Sequence, residues 1–162
     1  MAKLYFTGAG ADRITRRKQE LMDKLKKTQG QKGEAAEIGG NQWHDNFSFE
    51  QLMREEQMLN AQIAEINEKM SQMVVVDEAP TDITQLRIGH IAVFDVEGEM
   101  KTYLVGGYED SEANTDPPII SYLAPLARPF IGKEQGYVTR ITLGGKPKQV
   151  TLEDIHLPKK GG

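Results

Sequence analysis

The sequence of 162 residues contains no cysteine. A disulfide framework, a thiolate nucleophile and a zinc site with cysteine ligands are therefore excluded, and a reducing compartment is the expected location. Long apolar runs are also missing. The longest strongly apolar run, from Met73 to Val76, is far too short to cross a bilayer, and the first ten residues lack the apolar core of a signal peptide. These absences predict a soluble cytoplasmic protein without a membrane partner.

An excess of basic residues is missing as well. The chain carries 20 Lys and Arg against 24 Asp and Glu, a formal net charge of −4. A protein that coats nucleic acid needs a broadly basic surface. General nucleic-acid binding is therefore disfavoured.

Proline is absent from Thr7 to about Met73, and the second part of this stretch has heptad spacing. Its apolar residues recur seven, four, three, four and three positions apart, at Leu52, Leu59, Ile63, Ile66, Met70 and Met73. This spacing predicts one narrow apolar seam along a helix. A weaker seam precedes it, and its residues are Ile14, Leu21 and Leu25.

Glycines separate the two seams, at Gly30, Gly33, Gly39 and Gly40. Thr7 is a plausible N-cap for the first helix. Two helices joined by a glycine-bearing tip make an antiparallel hairpin. We therefore predict a coiled-coil hairpin over 1–76 with a tip loop near 33–47.

The second half of the chain has the period of strands. Acidic and proline-containing residues over 77–87 predict a linker, and a small α+β domain follows over 88–158, with a frayed tail at 159–162. Five strands are predicted, at His90–Val96, Lys101–Val105, Pro118–Tyr122, Tyr137–Leu143 and Gln149–Ile155. Gly144-Gly145 predicts a tight hairpin turn. Ala124 to Ile131 predicts one short helix that Pro129 should distort or shorten, with Gly132 as its C-cap.

Four segments carry a resemblance to a known family. The stretch APLARPFIGKEQG at 124–136 is similar to the signature S-P-[IL]-A-R-A-L-[IL]-G-K-x-x-G of the Gre transcript-cleavage factors of bacterial RNA polymerase and their non-cleaving relatives. VGGYEDSEAN at 105–114 resembles the family's V-G-x-x-E-A-D segment, with Asn114 in place of the acid. TGAGADRI at 7–14 and REEQ at 54–57 resemble its T-x-x-G-x-x-[KR]-L opening and its K-E-E-Q.

The resemblance implies an α+β fold, with the coiled-coil hairpin followed by an FKBP-like domain. It also implies an accessory factor, not an enzyme, whose partners are RNA polymerase and the 3′ end of the nascent RNA. The globular domain would dock at the rim of the secondary channel while the hairpin enters it. No cofactor of its own and no small-molecule substrate are expected. Carboxylates at the tip would share the Mg²⁺ of the polymerase active site, because this hard cation prefers oxygen ligands.

The tip segment GNQWHDN at 40–46 departs from the family pattern of two acids in D-x-x-E-N. Asp45 aligns with the second acid and is the candidate metal-facing residue, whereas an amide replaces the first. A helix N-cap is an equally valid interpretation of Asp45, and Glu50 either adds an oxygen or lies on a solvated face. The further candidate tip contacts are Asn41, Trp43, His44 and Asn46.

Trp43 could stack on a base or pack the tip loop against Phe47 or Phe49. His44 could serve as a ligand, as a pH-sensitive group or as a cap. No other histidine lies nearby in the sequence. A surface or capping role is therefore favoured over metal binding.

The resemblance also implies a docking surface on the globular domain. Its candidate residues lie in the 105–114 segment and in the signature stretch, and they are Glu109, Asp110, Glu112, Ala113, Pro125, Leu126, Arg128, Ile131, Gly132 and Lys133. Pro125, Leu126 and Ile131 could instead belong to the core, and Arg128 and Lys133 to a solvated face.

The two helices carry opposite charge. Between Arg13 and Lys32 there are eight basic residues against two acids, a balance of +6, and between Asp45 and Lys69 the balance is −4. This polarity either pairs the helices or lets the basic one follow RNA phosphates. The candidate RNA-facing residues are Arg13, Arg16, Arg17, Lys24 and Lys27.

Four functions are consistent with the sequence. The leading one is a Gre-like elongation factor that binds the secondary channel and stimulates cleavage of backtracked transcripts by the polymerase. A regulator that binds the same channel without cleavage is the alternative, because one tip acid is missing. An FKBP-like peptidyl-prolyl isomerase and a coiled-coil scaffold are further hypotheses. The isomerase needs an aromatic-lined apolar pocket, for which this chain has few aromatics.

Overall fold

The computed structural model describes the backbone of residues 2–39 and 46–159 and the side chains of 2–34 and 48–159. The elements follow in the order β1 (Leu4–Phe6), α1 (Gly8–Gly39), α2 (Asn46–Ser71), β2 (Met73–Val75), β3 (Ile91–Val96), β4 (Glu99–Gly106), β5 (Ile119–Ser121), a 3₁₀ helix (Arg128–Phe130), β6 (Val138–Leu143) and β7 (Lys146–His156). Two long helices followed by a sheet confirm the predicted α+β class.

The helix α1 begins where the sequence predicts. The side-chain oxygen of Thr7 accepts a 3.1 Å hydrogen bond from the backbone N–H of Gly10. The carbonyl of Thr7 accepts a 2.9 Å bond from the N–H of Ala11. Because these bonds satisfy N–H groups of the first turn, the prediction of Thr7 as N-cap is confirmed.

The glycines of α1 do not end the helix. Helix α1 continues through Gly30 and Gly33 to Gly39, and α2 begins at Asn46, so the predicted start of the tip loop near residue 33 is wrong. A glycine inside a helix costs only about 1 kcal/mol relative to alanine. Good helix formers around them, such as Gln31 and Lys32, offset this cost.

The chain divides into two units, which are described separately. One is built on Asp12–Met73, and the other on Leu4–Ala11 together with Val74–Gly162. The predicted boundary at residue 76 therefore misses Leu4–Ala11, which belongs with the globular unit. The reason is the short pair of strands β1 and β2, whose three residues each are too few to show an alternating pattern.

The globular unit contains a five-stranded sheet in the order β5-β4-β3-β7-β6. The neighbours β3 and β4, β3 and β7, and β6 and β7 run antiparallel, whereas β5 runs parallel to β4. All five predicted strands are confirmed, with ends that differ by at most three residues. Gly144 and Gly145 have φ of 60° and 80° in the turn between β6 and β7, which confirms the predicted hairpin turn.

The core of this unit begins earlier than the predicted domain. Leu86 is fully buried in it, although the sequence places this residue in the linker 77–87. Its N–H donates to the carbonyl of Lys133, and its carbonyl accepts from the N–H of Gly132, at 2.9 and 2.8 Å. The last part of the predicted linker is therefore held against the signature stretch.

The predicted helix at Ala124–Ile131 is replaced by turns and by the 3₁₀ helix Arg128–Phe130. Pro129 has no N–H to donate and sits at the start of this short helix, which confirms the predicted shortening. Gly132 follows with φ of 81°, a left-handed conformation that suits glycine at a helix end.

Candidate functional site

The predicted tip residues lie outside the described side chains. Asn41, Trp43, His44 and Asp45 fall in the segment 40–45, and Asn46 is described only as the first residue of α2. Glu50 is exposed on α2 and borders a shallow surface depression with Met53, Arg54 and Gln57. Within the described residues, no cluster of three or more His, Asp or Glu side chains could hold a metal ion.

The apolar seam of the hairpin is formed as predicted. Ile14 on α1 and Leu59 and Ile66 on α2 are buried, while the residues on either side of them along each helix are exposed. A scaffold that dimerises through this seam is disfavoured, because the two helices already cover it within one chain. The prediction of a hairpin with one narrow seam is confirmed.

Opposite charges do meet between the two helices. The ammonium of Lys32 lies 3.0 Å from one carboxylate oxygen of Glu56 and 3.1 Å from the other. This pair supports the interpretation that the charge polarity helps the helices to pair. The five candidate RNA-facing residues are all exposed on α1. Arg13 and Arg17 among them also take part in interactions within the chain.

The loop after β4 is held together by an inward-facing carboxylate. Asp110 is only 7% exposed, and its Oδ2 accepts hydrogen bonds from the Thr7 hydroxyl at 2.7 Å and from the Gly107 N–H at 2.8 Å. Asp110 is one of the docking-surface residues that the resemblance implies. Its carboxylate faces backbone and hydroxyl donors inside the unit, so the structure gives it a supporting place behind the exposed residues of the loop.

Glycine is required in the same loop. An alanine Cβ at Gly107 would lie 2.7 Å from the backbone N of Thr7 and 2.8 Å from the carbonyl oxygen of Tyr5. The N–H of Tyr108 donates to that same carbonyl at 2.7 Å. Gly107 is not among the residues predicted from the sequence, although the pair Gly106-Gly107 directly after a predicted strand was a signal for it.

Three other candidates in this loop reach solvent. Glu109, Glu112 and Ala113 are exposed, and Glu109 adopts a φ of 57°. The backbone of Glu112 exchanges hydrogen bonds with Ile119 at 3.0 and 2.8 Å. The loop therefore presents two carboxylates on a backbone that is fixed at both of its ends.

The signature stretch separates into core and surface residues. Leu126 and Ile131 pack against the core, and Phe130 between them is fully buried. Pro125, Arg128 and Lys133 are exposed. The Lys133 ammonium lies 4.9 Å from the centre of the Tyr137 ring, a cation–π geometry that limits its positions. Gly132 serves the backbone turn described above.

The two histidines in the described residues have structural surroundings. His90 is fully buried: its Nδ1 accepts from the N–H of Arg87 at 3.0 Å, and its Nε2 lies 2.7 Å from the carbonyl of Pro80, to which it donates. His156 lies 3.2 Å from Asp154. Among the described residues, neither belongs to a group of three or more His, Asp or Glu side chains that could hold a metal ion.

One carboxyl group in the globular unit has a perturbed pKa. Asp82 is exposed, and its Oδ1 accepts 2.9 Å and 2.7 Å hydrogen bonds from the N–H and the hydroxyl of Thr84. These bonds favour the charged form, so they hold the pKa of Asp82 below its ordinary value. The group stabilises the turn ahead of the buried Leu86.

No helix in the described part of the chain is long and apolar enough to span a membrane. No family model matches the chain. A known structure, the GreA factor homolog 1 of Thermus thermophilus, is 18% identical and covers 95% of this chain and 99% of its own, with a TM-score of 0.43. A similarity this low does not allow individual positions to be compared.

Two curated sequences are closer to the chain. The transcription elongation factor GreA of Aliarcobacter butzleri is 29% identical over 166 residues, which cover 96% of both chains. GreA of Nautilia profundicola is 30% identical over 113 residues, 68% of each chain. By this likeness over more than two thirds of both sequences, the chain belongs to the Gre family of transcription elongation factors.

Proposed function

We propose that the chain binds RNA polymerase through its secondary channel and stimulates the polymerase's own cleavage of backtracked transcript 3′ ends. The observation that carries this proposal is the likeness to GreA factors. The chain acts as an accessory factor, and the hydrolysis takes place in the polymerase active site. Its proposed partners are the polymerase and the 3′ segment of the RNA.

The dimensions of the hairpin suit this role. Helix α1 has 32 residues and α2 has 26, which correspond to about 48 and 39 Å at 1.5 Å per residue. The apolar face of each helix is buried in the seam between them. A slender polar-surfaced hairpin can therefore enter a channel, with the residues between α1 and α2 leading.

Asp45 is the residue that we propose to face the catalytic metal. The only carboxylate between Gly40 and Asn46 is its own, and carboxylate oxygens are ligands that Mg²⁺ prefers. The polymerase's ion would supply the activation of water. The role of this chain would be to present the Asp45 carboxylate. Asn41, Trp43, His44 and Asn46 would make contacts beside it.

The globular unit is the proposed docking element at the rim of the channel. The exposed candidates are Glu109, Glu112, Ala113, Pro125, Arg128 and Lys133. Two acidic groups in one loop and two basic groups in the signature stretch fit a partner surface with charges of both signs. Asp110, Leu126, Ile131 and Gly132 would support this surface from within.

The basic face of α1 is the proposed path of the RNA. Arg16, Lys24 and Lys27 are exposed there, with Arg13 and Arg17 beside them. The negatively charged phosphates of RNA attract Lys and Arg side chains, and this attraction weakens as the salt concentration is raised. Reversal of Arg16, Lys24 and Lys27 to Glu should therefore weaken cleavage of long backtracked RNA more than cleavage of short ones.

The test is the release of short 3′ fragments from stalled elongation complexes. Addition of the chain should raise this release above the intrinsic rate of the polymerase, and Asp45→Ala should abolish the increase. Asp23→Ala is the matched control, because Asp23 is an exposed acid on α1 that bonds only to its neighbour Gln19 among the described contacts. Equal activity of Asp45→Ala and Asp23→Ala would contradict the role of Asp45.

A regulator that binds the channel without cleavage is the second candidate. The observation that favours it is the single carboxylate at the tip, where the cleaving pattern has two acids. It predicts inhibition or altered pausing with no 3′ fragments. Robust fragment release would exclude this candidate.

A proline isomerase is disfavoured by the packing of the aromatic residues. Phe94 and Phe130 are fully buried with ring centroids 5.2 Å apart, and Tyr137 packs edge-on against Phe130 at 5.9 Å. The two phenylalanine rings fill the core of the unit, whereas Tyr137 is exposed at its edge. Because both phenylalanines are fully buried, they do not line a pocket that a prolyl peptide could enter.

A further inference from the structure

A closed loop over residues 79–90 directly precedes strand β3. The two ends of this loop touch, because a Cβ added to Gly89 would lie 2.7 Å from the Cβ of Ala79, and Gly89 has a φ of 97°. Two side chains of the loop, those of Leu86 and His90, are fully buried. A compact loop whose ends are in contact is an Ω-loop, a form that is frequently functional.

The ring of His90 joins the first part of this loop to its last part. Its Nδ1 accepts a 3.0 Å hydrogen bond from the N–H of Arg87, so Nε2 carries the ring proton and donates it to the carbonyl of Pro80 at 2.7 Å. The two bonds use both ring nitrogens and leave no lone pair for a metal ion. Because the ring is fully buried, water cannot replace either bond while the loop stays closed.

The residue before Arg87 holds the signature stretch. The N–H of Leu86 donates to the carbonyl of Lys133 at 2.9 Å, and the carbonyl of Leu86 accepts from the N–H of Gly132 at 2.8 Å. The guanidinium of Arg87 lies beside the same turn, since a Cβ added to Gly132 would be 3.5 Å from its Nη1. The 79–90 loop therefore contacts the stretch at the left-handed glycine where its direction changes.

This contact is the long-range backbone attachment of the middle of the stretch. Among the described backbone hydrogen bonds of residues 131–135, those with Leu86 alone reach a distant part of the sequence, and the others connect residues three positions apart. The next long-range bond is at Gly136, whose N–H donates to the carbonyl of Leu152 at 2.7 Å. The position of Lys133 therefore depends on the position of Leu86.

We propose that His90 is a positioning residue for the docking surface. It closes the 79–90 loop, and through Leu86 it holds the backbone of Gly132 and Lys133 in one conformation before a partner binds. A surface that is already ordered loses less conformational freedom on docking. The assignment of RNA polymerase as the partner rests on the proposed function, whereas the closure of the loop by His90 does not.

Two substitutions of His90 each retain one of its two bonds. The side-chain oxygen of His90→Asn reaches the position of Nδ1 and accepts from Arg87, whereas the longer His90→Gln brings its amide N–H to the position of Nε2 and donates to Pro80. His90→Ala removes both bonds. Val150→Ala is the matched control, because it removes fully buried side-chain atoms from the core of the same unit and no hydrogen bond of the loop.

Native-state amide hydrogen exchange at Leu86 and Gly132 measures how firmly the loop is closed, with the buried Leu152 of β7 as the reference. His90→Ala should speed exchange at both amides about ten-fold or more relative to Leu152, because buried groups lose their partners. His90→Asn and His90→Gln should give smaller increases. Val150→Ala weakens the whole unit and should not raise this ratio.

An exchange ratio in His90→Ala no higher than that in Val150→Ala would overturn the proposal. Far-UV circular dichroism shows which variants fold. If His90→Ala does not fold, His90→Asn and His90→Gln decide the matter, and native ratios in both would overturn the proposal.

Polymerase binding by the same variants distinguishes a positioning role from a purely structural one. The Kd should rise about three-fold or more in His90→Ala, because more conformational freedom is then lost on docking, and should return toward the native value in His90→Asn. Val150→Ala should keep the native Kd. A native Kd in folded His90→Ala with faster exchange at Gly132 would overturn the positioning role. If the native chain did not bind polymerase while the exchange pattern held, the proposed function would fail and the closure of the loop by His90 would stand.

Discussion

The hydroxyl of Thr7 donates a 2.7 Å hydrogen bond to the carboxylate of Asp110, across 103 positions of the sequence. The same Thr7 side chain caps the first turn of α1 through the N–H of Gly10. One short side chain therefore ties the start of a long helix to a loop of the globular unit. Thr7 and Asp110 each belong to a segment that resembles the family pattern, at 7–14 and at 105–114.

Replacement of Asp110 should destabilise the chain. Asp110→Ala leaves the Thr7 hydroxyl and the Gly107 N–H without their buried acceptor, which should lower the free energy of unfolding by about 1–3 kcal/mol. Ser111→Ala, at an exposed position of the same loop, is the control and should change it by less than about 0.5 kcal/mol. Thermal and urea unfolding measure both. A neutral Asp110→Ala would mean that the carboxylate does not hold the loop.

Two glycine-to-alanine changes should alter the free energy of unfolding in opposite directions. Gly107→Ala forces a Cβ against the backbone of Thr7 and Tyr5 and should cost about 1–3 kcal/mol. Gly30→Ala lies within α1, where a Cβ meets no atom within 4 Å, and should stabilise the chain by up to about 1 kcal/mol. Chemical denaturation compares them. Stabilisation by Gly107→Ala would contradict the close approach of the loop.

Charge reversal on the signature stretch should weaken polymerase binding without unfolding the chain. Arg128 and Lys133 are exposed, so Arg128→Glu with Lys133→Glu should raise the Kd for polymerase about ten-fold or more at low salt. Lys146→Glu with Lys159→Glu, at two exposed lysines outside the stretch, is the control with the same change in net charge. Equal effects of the two double variants would remove the stretch from the docking surface.

The pKa of Asp82 should depend on Thr84. Thr84→Val removes the hydroxyl donor, so the pKa of Asp82 should rise toward its ordinary value while the backbone bond keeps it partly lowered. Because the folded-state pKa is below the unfolded one, the stabilisation by this group is present above the unfolded pKa and is lost as pH falls through the folded pKa. A carboxyl NMR titration measures the shift. An unchanged pKa of Asp82 in Thr84→Val would show that the Thr84 hydroxyl does not lower it.

The sequence predicted the elements with strong periodicity. The heptad spacing from Leu52 to Met73 and the strands of the sheet were recognised because one face of each is buried. The extent of α1 was missed because glycine lowers helix propensity without forbidding the helix. The strands β1 and β2 were missed because each is short and is stabilised by pairing with a strand that lies far away in the sequence.

The candidate site was predicted less completely than the fold. The signature at 124–136 identified the stretch, but only packing separates the buried Leu126 from the exposed Arg128. Asp110 looked like a surface acid because sequence does not show that its partners are the Thr7 hydroxyl and a backbone N–H. The ion pair of Lys32 and Glu56 was visible as charge polarity alone, since its place in the seam depends on the register.

The most direct test of the central claim is the rate of 3′ fragment release from backtracked elongation complexes, with and without the purified chain. We predict that the native chain raises this rate well above the intrinsic rate, that Asp45→Ala returns it to the intrinsic value and that Asp23→Ala keeps it raised. No increase with the native chain, although it binds the polymerase, would contradict the account and favour the regulator without cleavage.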